Sequence, residues 1–130
     1  MDWIYNNATL TEIPEKAIGF VYIITNLTNG KRYIGKKNLY FRKVKQVKGK
    51  KKRYNVDSDW KEYYGSSSSL LEDVNKLGKE NFKREIIRFC DSKGAMTYYE
   101  TREIFVRDAI LSEDYYNDWC MCRVKKSHIK

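Results

Sequence analysis

The feature that most constrains the fold is an apolar segment followed closely by a tight-turn signal. Residues 18–25, Ile-Gly-Phe-Val-Tyr-Ile-Ile-Thr, are rich in β-branched and aromatic side chains, which favour extended strands. Asn29-Gly30 follows and is typical of tight β-turns because both residues tolerate a positive φ. Residues 31–35, Lys-Arg-Tyr-Ile-Gly, resume the strand pattern. The sequence therefore predicts a β-hairpin over 18–35.

Three later segments also carry secondary-structure signals. Ser69-Leu-Leu-Glu72 has the spacing of a capping box and opens an apolar face that continues to Gly78, which predicts a helix over 69–77. Residues 97–111 indicate a longer helix. Residues 82–89 fit helical spacing by their apolar side chains and a strand by their length, so periodicity alone leaves both assignments open.

The basic residues are concentrated in one segment. The 130-residue chain has 26 Lys+Arg, 17 Asp+Glu and a formal net charge of +9. Residues 31–53 hold 12 of the basic residues and no acidic one, which leaves 14 basic and 17 acidic residues elsewhere. Such a band can neutralise successive phosphates, so it indicates nucleic-acid binding. Its conformation is open between a helix over 38–47 and two extended arms joined at Lys48-Gly49-Lys50. The candidate DNA-binding residues are Lys36, Lys43, Lys45, Lys48, Lys50, Lys51, Lys52 and Arg53.

Length and composition exclude several classes of protein. A chain of this size builds one core, so we expect one domain that starts near Ala17 after a polar lead-in, 1–17. The longest uncharged apolar run, Ile18–Ile24, is seven residues against the ~20 that cross a bilayer, and no signal peptide is visible. We therefore expect no membrane partner.

The cysteines favour a cytoplasmic, reducing compartment. Three cysteines cannot all pair internally, and Cys120-x-Cys122 is a poor local disulfide. With Cys90 and the single histidine, His128, they allow a three-Cys, one-His zinc site, but the spacing differs from the usual Cys-x2-Cys, so free cysteines are favoured. A catalytic mechanism centred on histidine is also disfavoured, because His128 lies beside the C-terminus.

The order of several motifs is more specific than any one of them. Phe20-Val21-Tyr22 followed by Tyr33-Ile34-Gly35 resembles the two-part signature of the GIY-YIG nuclease superfamily, with Gly-Ile-Tyr relaxed to Phe-Val-Tyr. The later pattern is similar to small phage-encoded members and phage-type homing endonucleases. The further matching segments are, in order, Trp60–Ser67, Gly78–Phe82 leading to Glu85, Tyr99-Glu100 and Tyr116-Asn117.

This resemblance covers about 18–119 and implies a fold. The family fold is a small α/β domain of the α+β type, a three-stranded antiparallel sheet flanked by helices, and it makes residues 82–89 the third strand. The basic segment at about 36–56 then becomes an insertion, and 120–130 a basic C-terminal tail.

The resemblance also implies an activity, the divalent-metal-dependent hydrolysis of DNA phosphodiester bonds with Mg²⁺ or Mn²⁺. It implies Glu100 as the metal ligand, with Glu103 as the nearby competitor. Tyr22 is implied as the general base, Tyr33 as the residue that orients the water or phosphate, and Asn117 as a hydrogen-bonding residue that holds the active-site end of the sheet.

Two expectations concern cations near these residues. A tyrosine acts as a base only if its pKa, ordinarily near 10, is lowered, and Lys31, Arg32 or metal-bound water is expected to favour the phenolate of Tyr22. The family's phosphate-binding arginine has two possible counterparts, Arg42 at about the expected spacing and Lys37 closer to the hairpin.

The expected partner is DNA in double-stranded form. A chain of 130 residues leaves no room for a separate recognition domain, so specificity is expected to be weak or to come from the basic segment, from a homodimer or from a partner. One alternative is a catalytically inactive nucleic-acid-binding module of the same fold. A further alternative is a protein-interaction adaptor with a basic surface.

Overall fold

The structure is a computed structural model that describes residues 2–120 and 122–129. No helix in this part of the chain is long and apolar enough to cross a bilayer. The strands and α-helices are, in chain order, β1 Trp3–Tyr5, β2 Ala8–Thr9, β3 Gly19–Asn26, β4 Arg32–Asn38, β5 Tyr40–Val47, β6 Lys50–Asp57, α1 Ser68–Leu77, β7 Phe82–Cys90 and α2 Lys93–Val106.

The main sheet has five strands in the order β2-β1-β7-β3-β4, in which β1 runs parallel to β7 and the other pairs are antiparallel. The predicted hairpin is confirmed as β3 and β4, and residues 82–89 are confirmed as a strand within β7. Gly30 has a φ of 76° in the turn, as the Asn-Gly signal requires.

The expected three-stranded sheet is too small, because the lead-in 1–17 supplies two further strands. The Trp3 side chain is only 4% exposed, and its Nε1 donates a hydrogen bond of 2.8 Å to the backbone oxygen of Trp60. Its ring also meets that of Phe20 edge-on at 5.0 Å. A three-residue strand among polar residues has no detectable period, so only this long-range packing identifies it.

The basic segment forms a second, two-stranded sheet of β5 and β6, which we call the ribbon. The two extended arms are therefore the right alternative, and the helix over 38–47 is wrong. Lys48 and Gly49, with φ of 50° and 76°, make the turn. The ribbon is exposed along its length except for partly buried Val56, so it projects from the core.

The first helix is confirmed, with a different N-cap from the one predicted. The Ser67 hydroxyl, and not that of Ser69, accepts a hydrogen bond from the Leu70 backbone N–H at 3.4 Å. Gly78 ends the helix with a φ of 94°. Four consecutive serines, 66–69, offer several equivalent caps, so the sequence cannot choose among them.

The second helix is displaced from the predicted 97–111 at both ends. It begins at Lys93 because the Ser92 hydroxyl accepts a hydrogen bond from the Ala95 N–H at 3.1 Å. It ends at Val106, and Asp108 then adopts a φ of 54°. Neither glycine nor proline marks this end, so the apolar spacing alone carried the predicted helix past Val106 to residue 111.

Both faces of the main sheet are covered. One face packs against α1 through residues that include Phe20, Leu70 and Phe82, and the other packs against α2 through residues that include Val21 and Ile104. Consecutive residues of β3 are therefore buried on alternate faces, which explains why its sequence is almost continuously apolar.

Candidate active site

The site lies at the edge of the main sheet, along β4. The segment after α2 covers the first part of this edge: the Tyr116 backbone N–H donates to the Arg32 oxygen at 2.7 Å. The Asn117 amide then makes two hydrogen bonds of 2.9 Å with the backbone of Ile34, accepting from its N–H and donating to its oxygen. An open pocket of about 660 Å³ begins next to this pair.

Four of the six predicted catalytic residues line the pocket, although they are up to 95 positions apart in the sequence. These four are Tyr22, Tyr33, Glu100 and Asn117. Lys37 and Arg42 do not line it. The other polar or aromatic residues that line the pocket are Lys36, Ser66, Ser67, Ser68, Ser69, Asp118 and Trp119.

Tyr22 is buried in the α1 side of the core but reaches the pocket with its hydroxyl end. Its side chain crosses the neighbouring strand at Gly35, where a Cβ atom would overlap the Tyr22 hydroxyl and Cζ. Gly35 therefore leaves the space through which the phenol reaches the open edge.

The surroundings of Tyr22 favour its neutral form. Burial raises the pKa of Tyr22 well above its ordinary value, and nearby Tyr63, Tyr33 and Glu100 raise it further. Lys31 lies 4.7 Å from the ring centre of Tyr116, and so it packs at another part of the sheet. The Arg32 guanidinium likewise lies 4.8 Å from the ring centre of Tyr115. Neither cation lowers the pKa of Tyr22, so the expectation that Lys31 or Arg32 favours its phenolate is wrong.

Tyr33 lies beside Tyr22, with ring centres 6.2 Å apart. Its hydroxyl is 3.1 Å from the Ser66 hydroxyl, so the serine run before α1 forms one wall of the pocket. Burial raises the pKa of Tyr33, although the hydrogen bond with Ser66 opposes the shift.

Glu100 presents its carboxylate to the pocket from α2. Burial raises the pKa of Glu100, and the charge and the backbone N–H of Lys36 partly oppose this shift. The competitor Glu103 instead pairs with Arg107, with Oε2 and Nε 3.0 Å apart, and does not line the pocket. The helix thus presents only one of the two carboxylates to the site.

Lys36 brings a positive charge to the pocket. Its ammonium donates a hydrogen bond of 2.8 Å to the Thr97 hydroxyl, one helical turn before Glu100. Lys37 points to the opposite face of β4, where its ammonium lies 2.6 Å from an Asp59 oxygen and 4.0 Å from the Tyr63 ring centre. Because that ammonium donates a hydrogen bond to it, the pKa of Asp59 is lowered.

Sequence reasoning placed Lys36 only among the DNA-binding residues. The missing signal was strand length: β4 continues past Gly35 to Asn38, so Lys36 lies on the same face as Ile34. Arg42 lies farther along, on the exposed ribbon.

A network of hydrogen bonds, which the sequence does not reveal, holds the segment that carries Asn117 in place. Tyr116 donates a 2.6 Å hydrogen bond to Asp73 of α1 and accepts one of 3.1 Å from Asn26, which is fully buried at the end of β3. Burial and the Asp73 carboxylate raise the pKa of Tyr116 to about 12. Three separate elements therefore meet at this tyrosine.

The donor set suits a hard divalent cation better than zinc. Glu100 and Asp118 line the same open pocket, and Mg²⁺ is commonly held by one or two carboxylates while it keeps several waters. Within residues 2–120 and 122–129, no three Cys, His, Asp or Glu side chains come together as a metal-binding group, so the three-Cys, one-His zinc site is not formed. The cysteines are free.

Comparisons with known proteins identify the family of this chain. A family model described as "Putative endonuclease segE, GIY-YIG domain" matches residues 3–120, from β1 to just past the pocket. "Putative endonuclease segE" of Enterobacteria phage T4 is 35% identical over 99 residues, which are 75% of this chain but only 39% of that relative. No solved structure gives a significant match. Because the family match spans most of the chain, this protein belongs to the GIY-YIG endonuclease family, as a phage-type member.

Proposed function

We propose that the chain is a divalent-metal-dependent endonuclease that hydrolyses phosphodiester bonds of double-stranded DNA. The observation that carries the proposal is the meeting of Tyr22, Tyr33, Glu100 and Lys36 in one open pocket of a nuclease-family domain. Hydrolysis of a phosphodiester needs a deprotonated oxygen nucleophile, neutralisation of the phosphate charge and a stabilised leaving oxygen. Each of these needs has a candidate group in the pocket.

Glu100 would hold Mg²⁺ or Mn²⁺, with Asp118 as a second carboxylate that lines the same pocket. When bound, such an ion supplies charge neutralisation at the phosphate and at the leaving oxygen. Lys36 adds a fixed positive charge, and Tyr33 with Ser66 offers hydroxyls that orient the phosphate or the attacking water. Tyr22 is the candidate base, and the two hydrogen bonds of Asn117 hold β4 in place beside it.

The central test is cleavage of supercoiled plasmid DNA with Mg²⁺, followed by sequencing of the ends. Glu100→Gln keeps the volume and the hydrogen bond from Lys36 but removes the charge, so we expect at least about a hundredfold loss of rate. Glu103→Gln is the matched control from the same helix and should cleave like the native protein. Undiminished cleavage by Glu100→Gln would refute the assignment.

Lys36 is proposed as the phosphate-binding cation in place of Lys37 and Arg42. Lys36→Met should reduce cleavage under saturating Mg²⁺, whereas Lys37→Met should leave the chemical step unchanged and weaken the packing with Asp59 and Tyr63. An equal loss of single-turnover rate in both variants would contradict this choice.

A second function, DNA binding without cleavage, is favoured by one observation. No arginine lines the pocket within the described residues, and lysine is a weaker match than arginine for the geometry of a phosphate. Binding that falls steeply with salt, together with no cleavage under any metal or pH, would establish this alternative.

We also infer that the protein acts in the cytoplasm, because its three cysteines are free and free thiols are typical of a reducing compartment. Labelling the thiols in unreduced cell extract should find all three reactive after denaturation, and a disulfide would contradict the inference. A homodimer remains a proposal, which sedimentation with and without duplex DNA would test.

A further inference from the structure

The two faces of the ribbon carry different chemistry. In an antiparallel pair, residues directly opposite each other share a face, and the faces alternate along each strand. Arg42 lies opposite Asn55, and two residues along the strand Val44 lies opposite Arg53. We call this side the reading face. Apart from Tyr40 and Asp57 at the base of the ribbon, the residues of the reading face are Arg42, Val44, Gln46, Lys51, Arg53 and Asn55.

The other side, the lysine face, has mostly lysines in its outer half. Lys45 lies opposite Lys52, Val47 lies opposite Lys50, and Lys43 lies opposite Tyr54. The two strands thus place both arginines and both amide side chains of the ribbon on one face and four of their five lysines on the other. Side chains alternate between the two faces of a strand, and this alternation produces the separation. In the linear sequence the same residues form a single basic run.

DNA recognition uses two kinds of contact, with base edges and with phosphates, and the two faces match these two kinds. Arginine makes paired hydrogen bonds to guanine, asparagine and glutamine make them to adenine, and an apolar side chain can contact the thymine methyl group. Lysine instead acts as a point charge for phosphates. The reading face therefore carries groups that distinguish bases, and the lysine face carries groups that do not.

The ribbon also has a suitable shape and support. Each strand has eight residues, which reach about 24 Å, and the major groove, about 12 Å wide, admits a two-stranded ribbon. Only Leu39 separates β4 from β5, and Leu39 is fully buried. At the base, the Lys37 ammonium lies 5.1 Å from the Phe41 ring centre and pairs with Asp59. The ribbon is therefore joined directly to the strand that carries Lys36.

We propose that the reading face enters the major groove of duplex DNA and selects the site of cleavage through Arg42, Gln46, Arg53 and Asn55. The lysine face supplies contacts with the phosphate backbone, which do not depend on sequence. This inference rests on the proposed function in so far as the substrate is DNA. It adds that the GIY-YIG domain itself carries a base-reading element.

The test is a binding selection from a library of random 20-base-pair duplexes, with the full native chain in EDTA. We expect the native protein to enrich a defined motif. Arg42→Lys/Arg53→Lys keeps every charge but removes the arginine geometry, so it should bind the unselected library as tightly as the native protein and lose at least about fivefold discrimination for each arginine.

The matched control is Lys45→Gln/Lys52→Gln on the lysine face. It should retain the motif, bind all duplexes more weakly and lower the slope of log affinity against log salt by about two. Circular dichroism and thermal unfolding verify that each variant folds. A native protein that enriches no motif, or a double-lysine variant that selects the native motif unchanged, would overturn the inference.

The result is separable from the proposed function, because binding in EDTA does not require catalysis. Plasmid cleavage without a motif overturns only the reading role of the ribbon. A motif without cleavage under any metal overturns only the catalytic proposal. Selective binding of single-stranded DNA or of a second copy of this chain through the ribbon would overturn the major-groove assignment.

Discussion

Gly35 shows how one residue couples two strands of the site. The Tyr22 phenol passes over it to reach the edge of the sheet, and any side chain at Gly35 would displace that phenol. The sequence marks Tyr22, Tyr33 and Gly35 as parts of two motifs, but the contact between them comes from the register in which Tyr22 lies opposite Gly35. The choice of Lys36 over Lys37 follows from the same register.

The raised pKa of Tyr22 sets the expected pH dependence of cleavage. If its phenolate is the base, the active fraction rises about tenfold per pH unit wherever the pH is below the pKa. Because burial raises the pKa of Tyr22 well above 10, the single-turnover rate should rise from pH 7 to 9.5 without a plateau. Tyr22→Phe should abolish this slope and lower the rate by about 10²–10⁴-fold.

Tyr63→Phe is the informative companion variant. Tyr63 packs edge-on against the Tyr22 ring at 6.0 Å, and a side-chain hydrogen bond with Tyr63 raises the pKa of Tyr22. Removing the Tyr63 hydroxyl should therefore raise the rate at a given pH below the pKa of Tyr22. A flat native profile would instead indicate that Tyr22 acts as a hydrogen-bond donor and keeps its proton.

The charged, partly buried carboxylate of Glu100 is expected to lower the stability of the folded protein, although the proposed function requires it. Because its pKa is raised in the folded state, the folded protein binds this proton more tightly than the unfolded chain, and its contribution to stability is lost as the pH rises through the folded pKa. In EDTA, Glu100→Gln should therefore have a higher free energy of unfolding than the native protein at pH 7–8.

At about pH 3, where the carboxyl group is protonated in both states, this advantage should disappear. Urea denaturation at both pH values provides the measurement, with Glu103→Gln as control. A variant less stable than the native protein at pH 7–8 would contradict a desolvated Glu100.

At the scale of elements, the ribbon and the hairpin β3–β4 have opposite roles. The hairpin is buried between two helical layers and builds the pocket, whereas the ribbon is exposed and contributes little to the core. Their sequences differ accordingly, since β3 is almost continuously apolar and the ribbon is mostly charged with a few apolar residues. We therefore expect that the ribbon can be changed without unfolding the domain.

Replacing residues 42–55 with Asn-Gly should close a short hairpin between Phe41 and Val56, which are directly opposite each other. The removed side chains are all exposed, so the free energy of unfolding should change by no more than about 1 kcal/mol. The segment holds eight Lys and Arg residues, so duplex affinity should fall at least about a hundredfold at low salt. Urea denaturation and titration with a 20-base-pair duplex measure the two effects, and a large loss of stability would show that the ribbon supports the core.

At the scale of the whole molecule, the domain includes its N-terminal residues. β1 and β2 extend the sheet beyond β7, and Trp3 packs on the same core cluster as Tyr22. Buried Arg84 of β7 donates hydrogen bonds of 2.9 Å to the backbone oxygens of Lys61 and Tyr63. The central strand therefore holds the segment that carries Tyr63, whose ring packs against that of Tyr22.

Trp3→Ala should cost about 3–5 kcal/mol of unfolding free energy, because it removes a buried indole and leaves a cavity. Trp119→Ala is the matched control, since that tryptophan is 70% exposed and should change the stability by less than about 1 kcal/mol. Equal unfolding midpoints in urea for Trp3→Ala and the native protein would show that the N-terminal strand lies outside the cooperative unit.

The hairpin and the first helix follow from local patterns in the sequence, and the order of the motifs predicts the family and, through it, the strand over 82–89. The five-stranded sheet, the ends of α2, the place of Lys36 in the pocket and the two faces of the ribbon become visible only in the folded chain. These depend on strand register, on hydrogen bonds between distant residues and on the burial of Trp3 against Trp60 and Phe20. Such contacts carry no local period, so the amino-acid pattern shows them only once the chain is folded.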